Sequence, residues 1–217
     1  DFCLSRGLGD VYKRQGLVLL PVRFERYEAV TRRLDVIFRR YTSNVEFLSL
    51  DEATLDVTGQ VYCNGSATYM ANRIRASIEQ KLHLTASAGV APLKYLAKMA
   101  SEVNKPNGQF VIAPHQVQAF LKNLDIRKIP GVGPKTWAVL QALGCTKCAD
   151  VTDEMIPALL RHLGAHGFYV WERCRGQESY EGKPGAVQSL GVEHTLPSDC
   201  NDSVSYTHLT LPTKRIV

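Results

Sequence analysis

The hydrophobic pattern of this chain changes near residue 114, and that change constrains its fold more than any other feature. Between residues 16 and 113, helical periodicity alternates with short β-rich runs such as "LTASAGVA" at 84–91. From residue 114 to about residue 186 the strand signals disappear and only helical segments remain. Alternation predicts helices layered on a sheet, whereas an unbroken helical stretch predicts a separate small bundle. The sequence therefore predicts an α/β or α+β unit at 16–113, followed by an all-α unit.

Periodicity and helix breakers locate the individual elements. Two strands joined by a tight turn predict a hairpin, and Ser66 is placed to cap the helix that follows. The expected elements are a helix at 24–41, strands at 45–50 and 54–57, a helix at 66–83, a strand at 84–91 buried on both faces, a helix at 92–103, a strand at 110–112, and helices at 114–123, 134–143, 153–163 and 166–175. After a linker at 177–186, a strand at 187–195 begins another unit.

Positive charge is concentrated in one stretch of the chain. The net charge of the 217 residues is +5, and the stretch 91–140 alone holds seven basic residues against two acids. A concentrated positive face attracts polyanions such as nucleic acid or nucleoside triphosphates, although a solvated basic surface has the same pattern. The seven basic residues are Lys94, Lys98, Lys105, Lys122, Arg127, Lys128 and Lys135.

Composition excludes several classes of protein. Hydrophobic residues make up 45% and charged residues 22% of the chain, an ordinary balance for a globular protein. No apolar run reaches the length of about 18 residues that predicts a membrane span, and the first residues lack the apolar centre of a secretion signal. Six unevenly spaced cysteines do not form a disulfide framework. We therefore expect a cytoplasmic protein without a membrane partner.

Two adjacent acids stand out in the stretch "SLDEATLDVT" at 49–58. In a regular strand Asp51 and Glu52 would point to opposite faces, but at a tight turn both carboxylates can aim at one point. Paired carboxylate oxygens suit Mg²⁺, which is often shared with substrate phosphates. A solvated turn is the alternative interpretation of the same two residues.

The glycine-rich stretch "IPGVGPKT" at 129–136 has two alternative explanations. A Walker A loop needs glycine directly before the lysine, and Pro134 occupies that position, so we reject a nucleotide-binding loop. In a helix-hairpin-helix, Gly131 and Gly133 would let the turn approach a DNA phosphate, which the free N–H groups of the next helix would bind. A simple helix–helix turn explains the glycines equally well.

Cysteine and histidine spacing near residues 145–166 resembles that of a zinc finger. Cys145 and Cys148 are followed by His162 and His166, close to the C₂H₂ pattern. The cysteines follow a helix rather than a β-hairpin, and Pro157 interrupts the segment between them and the histidines. We therefore expect the two histidines on the surface and Cys148, with Cys174, as packed thiols, and keep a zinc module as a third hypothesis.

Three of these stretches, in this order, resemble the Y family of translesion DNA polymerases. They are "SLDEATLDVT", "TASAGVAPLKYLAKMASEVNKPNGQFVI" at 85–112 and "KIPGVGPKT" at 128–136. The resemblance runs from about residue 16 to about residue 202 and implies an α+β fold. It divides the chain into a partial palm at 16–113, a helical thumb with a helix-hairpin-helix at 114–176, a linker at 177–186 and the first strand of a truncated little finger at 187–202. The flanks at 1–15 and 203–217 match nothing in the family.

The resemblance also implies an activity and the residues that carry it. The primer 3′-hydroxyl would attack the α-phosphate of a dNTP with the help of two Mg²⁺ ions, on a primer–template bound by a monomer. A sliding clamp would be contacted through segments that are absent here. Thr54 departs from an aromatic residue usual in the family, and Asp56 is expected to be structural. The residues that match functional positions are Asp51 and Glu52 as catalytic metal ligands, Lys98 and Lys105 as nucleotide contacts, and Gly131, Gly133 and Lys135 as DNA contacts.

Parts of the family pattern have no counterpart in this sequence. The family's palm begins with a strand that carries another metal-binding aspartate, followed by a residue that excludes ribonucleotides and by the fingers. Asp10 lies in "GLGDVYK", which is not a buried strand, so it is not assigned that role. We therefore expect a fragment with little or no polymerase activity alone. The rival hypothesis is a non-catalytic DNA-binding fragment that uses only the helix-hairpin-helix.

Overall fold

The helices of the chain follow its hydrophobic periodicity closely. The computed structural model describes residues 20–179, so both flanks, most of the expected linker and the expected strand at 187–195 lie outside the described residues. Within 20–179 the α-helices are α1 (Phe24–Phe38), α2 (Ala67–Leu82), α3 (Lys94–Val103), α4 (Val117–Lys122), α5 (Pro134–Ala142), α6 (Ile156–Leu163) and α7 (Ala165–Cys174). Short 3₁₀ turns occupy Tyr62–Gly65, Pro114–Gln116, Ile126–Lys128, Cys148–Asp150 and Asp153–Met155.

Local chemistry sets where several helices begin. The Ser66 hydroxyl accepts a hydrogen bond of 3.2 Å from the backbone N–H of Tyr69, which confirms the predicted cap of α2. Helix α5 begins at Pro134, where a missing N–H costs nothing because the first turn has no partner for it. Helix α3 begins at Lys94, two residues after the start that we expected at residue 92.

The strands of the described residues form two small sheets. β1 (Val45–Phe47) pairs antiparallel with β2 (Ala53–Leu55), and β3 (Ala88–Val90) pairs parallel with β4 (Gln109–Val111). The predicted α+β class is confirmed, but each strand has only three residues. The expectation of a long strand at 84–91 buried on both faces is wrong: β3 is short and half-buried, and within 20–179 it pairs with β4 alone.

Small residues in β3 allow the backbone of α3 to approach closely. A Cβ atom added at Gly89 would lie 1.9 Å from the carbonyl oxygen of Ala97 and 2.5 Å from the backbone nitrogen of Ser101. Both atoms belong to the helix backbone and have no freedom to move aside. The small-residue run "TASAG" therefore holds a strand against its own following helix.

Two clusters of buried side chains stabilise the described part of the chain. The smaller one consists of Ile37, Phe38 and Ile78, and joins α1, α2 and the β1–β2 hairpin. The larger one begins in α3 with Tyr95 and continues into the helical unit without interruption. The proposed palm–thumb boundary at residue 113 thus stays a prediction, with side chains from both sides of it sharing one core. Members of this cluster include Leu96, Ala100, Ile112, Leu121, Ile126, Leu140, Leu159 and Val170.

No helix between residues 20 and 179 has both the length and the apolar character needed to cross a membrane.

Candidate functional site

The acid pair lies in the turn between β1 and β2. The backbone N–H of Leu48 donates to the carbonyl oxygen of Glu52 at 2.8 Å, which closes the turn. The Ser49 hydroxyl donates to a carboxylate oxygen of Asp51 at 2.6 Å and accepts from the backbone N–H of Glu52 at 3.1 Å. Both acids therefore sit at one end of the hairpin, in the position expected from the sequence.

Helix α3 brings two lysines to two acids of the β1–β2 hairpin. Lys98 forms an ion pair with Glu52, and Lys94, one turn earlier, forms an ion pair with Glu46 of β1. The four side chains are between 42% and 59% exposed, so solvent screens these pairs and they contribute little to stability. Their significance is positional, because they show which face of α3 lies toward the acid pair.

Lys105 lies close enough to the acid pair for the negative charge of the acids to affect its pKa. Its ammonium group donates to Glu102 at 2.6 Å. That hydrogen bond is the main reason why the pKa of Lys105 is raised, and the negative charges of Glu52 and Asp51 raise it further. Lys98, in the middle of α3, pairs with Glu52, and Lys105 follows the end of the helix, near enough for the charges of the acids to raise its pKa.

The turn that carries Lys105 is held in place by Arg75 of α2, which the sequence analysis did not identify. The Arg75 guanidinium donates to the side-chain oxygen of Asn107 at 2.9 Å and to the carbonyl oxygen of Ala86 at 2.8 Å. Asn104 adds a hydrogen bond of 2.8 Å to the carbonyl oxygen of Gln109. No local sequence pattern reports the Arg75 contact, because the residues it joins are 32 positions apart.

The donor set of the turn fits a hard cation. Asp51 is exposed and Glu52 half-buried, and both offer carboxylate oxygens, which Mg²⁺ prefers. Among residues 20–179 no three metal-binding side chains converge, so water or phosphate oxygens would have to complete a coordination shell there. The site is an open surface rather than an enclosed cavity. A depression of about 390 Å³ is lined by Thr31, Arg32, Asp35, Arg39 and Phe47, and neither acid belongs to its lining.

The four residues of the zinc-finger-like spacing do not converge. Cys145 is buried with its sulfur 3.3 Å from that of Met155. Burial raises the pKa of the Cys145 thiol and the negative charge of Asp150 raises it further, which opposes the thiolate form that zinc needs. The two histidines lie elsewhere, with His162 exposed and His166 against the glycine-rich turn. The zinc hypothesis therefore has no support in the described residues.

The glycine-rich turn joins the 3₁₀ turn at Ile126–Lys128 to α5 and contains two glycines that differ in backbone conformation. Gly131 has φ of +93°, a conformation that favours glycine. Gly133 has an ordinary φ of −87° and open space around the position of a Cβ atom. A methyl group at Gly133 would thus have no neighbouring atom within 4 Å. Lys135 is exposed in the first turn of α5.

Helix α7 supports this turn through two residues that the sequence analysis did not select. His166 donates from Nε2 to the carbonyl oxygen of Gly131 at 3.1 Å, since a carbonyl can only accept. The Tyr169 hydroxyl donates to the carbonyl oxygen of Pro130 at 3.2 Å. The expectation that His166 is a surface residue is wrong, because it is half-buried on the turn. These contacts span 35 and 39 positions, beyond the reach of local patterns.

Comparison with known families agrees with this geometry. The family described as "impB/mucB/samB family" matches residues 8–102, and the one described as "IMS family HHH motif" matches residues 115–144. The first match covers the acid pair and Lys98, and the second covers the glycine-rich turn. The first match starts at residue 8, which lies within the segment 1–15 that we assigned to a flank.

Individual relatives give the same result over most of the chain. DNA polymerase IV of Serratia proteamaculans (strain 568) is 51% identical over 187 residues, covering 86% of this chain and 53% of that protein. A solved Y-family DNA polymerase chimera, Dbh-Dpo4(243-245)-Dbh, matches 80% of this chain and 51% of its own with a TM-score of 0.72 and 32% identity. An insertion ternary complex of Dbh DNA polymerase matches 75% of this chain and 48% of its own with a TM-score of 0.69 and 34% identity.

The chain spans about half the length of the curated relatives it matches. The two family matches include the acid-pair turn and the glycine-rich turn, and both solved structures are DNA polymerases. The chain belongs to the Y family of DNA polymerases, as its motifs predicted, and its curated relatives carry the name DNA polymerase IV.

Proposed function

We propose that this chain is part of an error-prone, template-directed DNA polymerase that acts in translesion synthesis and DNA repair. The observation that supports it best is the meeting of Glu52 with Lys98 across 46 positions, with Lys105 within reach of the same charges. Carboxylates that hold a metal and lysines that bind a triphosphate are what nucleotidyl transfer from a dNTP requires. The rival hypothesis of a DNA-binding fragment would leave this convergence unexplained.

Each residue of the acid-pair turn has a definite role in this proposal. Membership in the family implies dependence on a divalent metal, and we propose that Asp51 and Glu52 hold Mg²⁺. When bound, Mg²⁺ supplies positive charge beside the reacting phosphates. Lys98, which pairs with Glu52, and Lys105 would contact the triphosphate. The lysines then offset negative charge on the nucleotide and on the leaving pyrophosphate.

The glycine-rich turn would hold the primer–template duplex. Free N–H groups at the start of α5 suit a phosphate, and the open space at Gly133 lets a phosphate approach them. Lys135 adds a positive charge beside that position. Contacts with the backbone position a duplex without reading its sequence, which suits an enzyme that moves along DNA. A sliding-clamp contact, a monomeric state and a cytoplasmic location stay predictions.

Substitution of the lysines tests the nucleotide half of this proposal. We expect Lys98→Ala and Lys105→Ala each to weaken binding of a fluorescent dNTP in the presence of Mg²⁺ by roughly tenfold, because each loses a hydrogen bond to a charged group. Fluorescence anisotropy of the labelled nucleotide measures the affinity. Lys94→Ala is the matched control, since it removes the same kind of ion pair from the same helix. Equal losses in all three variants would mean that only general positive charge matters.

The two glycines of the turn separate folding from DNA binding. Gly133→Ala should leave the free energy of unfolding within about 0.5 kcal/mol of the parent protein. It should nevertheless weaken duplex binding roughly tenfold, because its methyl group would lie where a phosphate approaches. Gly131→Ala should also lose about 1–2 kcal/mol of stability, since alanine disfavours positive φ. Chemical denaturation and anisotropy of labelled duplex DNA measure the two effects; unchanged DNA affinity in Gly133→Ala would contradict the duplex contact.

A further inference from the structure

A buried arginine joins the lysine-bearing helix α3 to helix α7. Arg173, near the end of α7, is only 8% exposed. Its guanidinium carbon lies 4.4 Å from the ring centre of Tyr95 and 4.7 Å from that of Tyr169. An ion pair with Glu178 completes its surroundings. A buried charge is tolerated only when it is paired in this way, so the position of this side chain is narrowly determined.

Tyr95 fixes the α3 side of this contact. It is 5% exposed, and its hydroxyl donates a hydrogen bond of 2.8 Å to the backbone carbonyl of Arg173. Burial raises the pKa of Tyr95, which keeps the hydroxyl protonated and able to donate. Lys98 lies on the same helix, three residues further along, so any shift of α3 against α7 at Tyr95 also moves Lys98.

Tyr169 connects Arg173 to the glycine-rich turn. The ring that contacts Arg173 carries the hydroxyl that donates to Pro130, and the same ring stacks on His166 with centroids 5.4 Å apart. His166 in turn holds the carbonyl of Gly131. The described residues therefore contain one continuous series of contacts, from α3 through Tyr95, Arg173 and Tyr169 to the turn.

We propose that Arg173 is a positioning residue, which sets the glycine-rich turn at a fixed place relative to α3 so that one duplex meets both. This inference rests on the proposed function, since it assumes that the turn holds duplex phosphates while α3 faces the primer end. Two contacts on one ligand reinforce each other only when their spacing matches the ligand. A stacked guanidinium between two rings keeps that spacing without a covalent link.

The obvious variant, Arg173→Lys, keeps the charge but loses the planar group that stacks on both rings. It should weaken binding of a fluorescein-labelled primer–template duplex by roughly tenfold, because the stacking contacts with both rings are lost. Because this variant also disturbs a buried site, two milder substitutions carry the test. Tyr95→Phe and Tyr169→Phe each remove one hydroxyl and leave the rings in place.

Each mild variant should weaken duplex binding roughly fivefold, the equivalent of one neutral hydrogen bond. The contacts act in series, so Tyr95→Phe should have less than about a twofold effect in the Tyr169→Phe background, where the turn is already released. Anisotropy is measured well below the unfolding midpoint of every variant. Tyr69→Phe, on the exposed face of α2, is the matched control and should bind the duplex as the parent does.

A purely structural role gives a different result. Tyr95→Phe would then lower the unfolding midpoint and leave duplex affinity unchanged, which would overturn the proposal. Fully multiplicative losses in the double variant would overturn it as well, because independent contacts do not form a series. Gly133→Ala distinguishes this failure from failure of the proposed function. If that variant binds duplex normally, the turn does not hold DNA. Weakened binding in Gly133→Ala with normal binding in Tyr95→Phe and Arg173→Lys removes only the role of Arg173.

Discussion

Replacing Gly89 by alanine is expected to lower the free energy of unfolding by about 3 kcal/mol or more, a large effect for one methyl group. The added Cβ would lie 1.9 Å from the Ala97 carbonyl oxygen, 2.5 Å from the Ser101 nitrogen and 2.8 Å from the Ala100 Cβ. Two of these atoms are helix backbone, so relief requires α3 to move away from β3. Chemical denaturation of the parent and the variant measures the difference in free energy.

The displacement should also reach the candidate site. Helix α3 carries Lys98, and its contact with Glu52 depends on how closely the helix lies on the strand. Gly133→Ala is the control for stability, because the same chemical change there meets open space. A Gly89→Ala protein as stable as this control would show that α3 does not approach β3 as closely as described.

Local chemistry explains which parts of the fold the sequence could predict. Ser66 caps α2 through an atom three residues away, and the proline that begins α5 acts on its own turn. Such signals lie within a few positions of each other, and the elements they govern were predicted correctly. The length of β3 was not predicted correctly, because β3 ends where its pairing with β4 ends. That pairing joins residues about 20 positions apart.

The same distinction applies to the candidate site. The sequence placed Asp51 and Glu52 in a turn, since the acids interrupt two β-rich runs and the turn closes on itself. The partners of the site arrive from further away: Lys98 reaches Glu52 from α3, and His166 reaches Gly131 from α7. Arg173 had no sequence signal, because an arginine near a helix end is an ordinary surface residue until its neighbours are known.

The second large effect concerns the acid pair. Asp51→Asn combined with Glu52→Gln should weaken binding of Mn²⁺, a spectroscopic substitute for Mg²⁺, by at least tenfold. Even in water, each lost charge about 4 Å from a divalent cation removes ~2 kcal/mol of attraction. Part of this loss is offset because, in the parent protein, the cation must compete with Lys98 for Glu52. The amide replacements preserve shape, so the fold should be unchanged. Glu46→Gln is the matched control, because Glu46 is paired with a lysine of α3 as Glu52 is.

Paramagnetic broadening of backbone amide signals by Mn²⁺ is the most direct measurement, since it reports where the ion sits. At the lowest Mn²⁺ additions, the signals of residues 48–53 and of α3 around Lys98 should broaden first in the parent protein and in Glu46→Gln. In the Asp51→Asn, Glu52→Gln protein this selective broadening should disappear. Broadening that centres on another part of the chain, or that persists in the doubly substituted protein, would contradict a metal site at the acid pair.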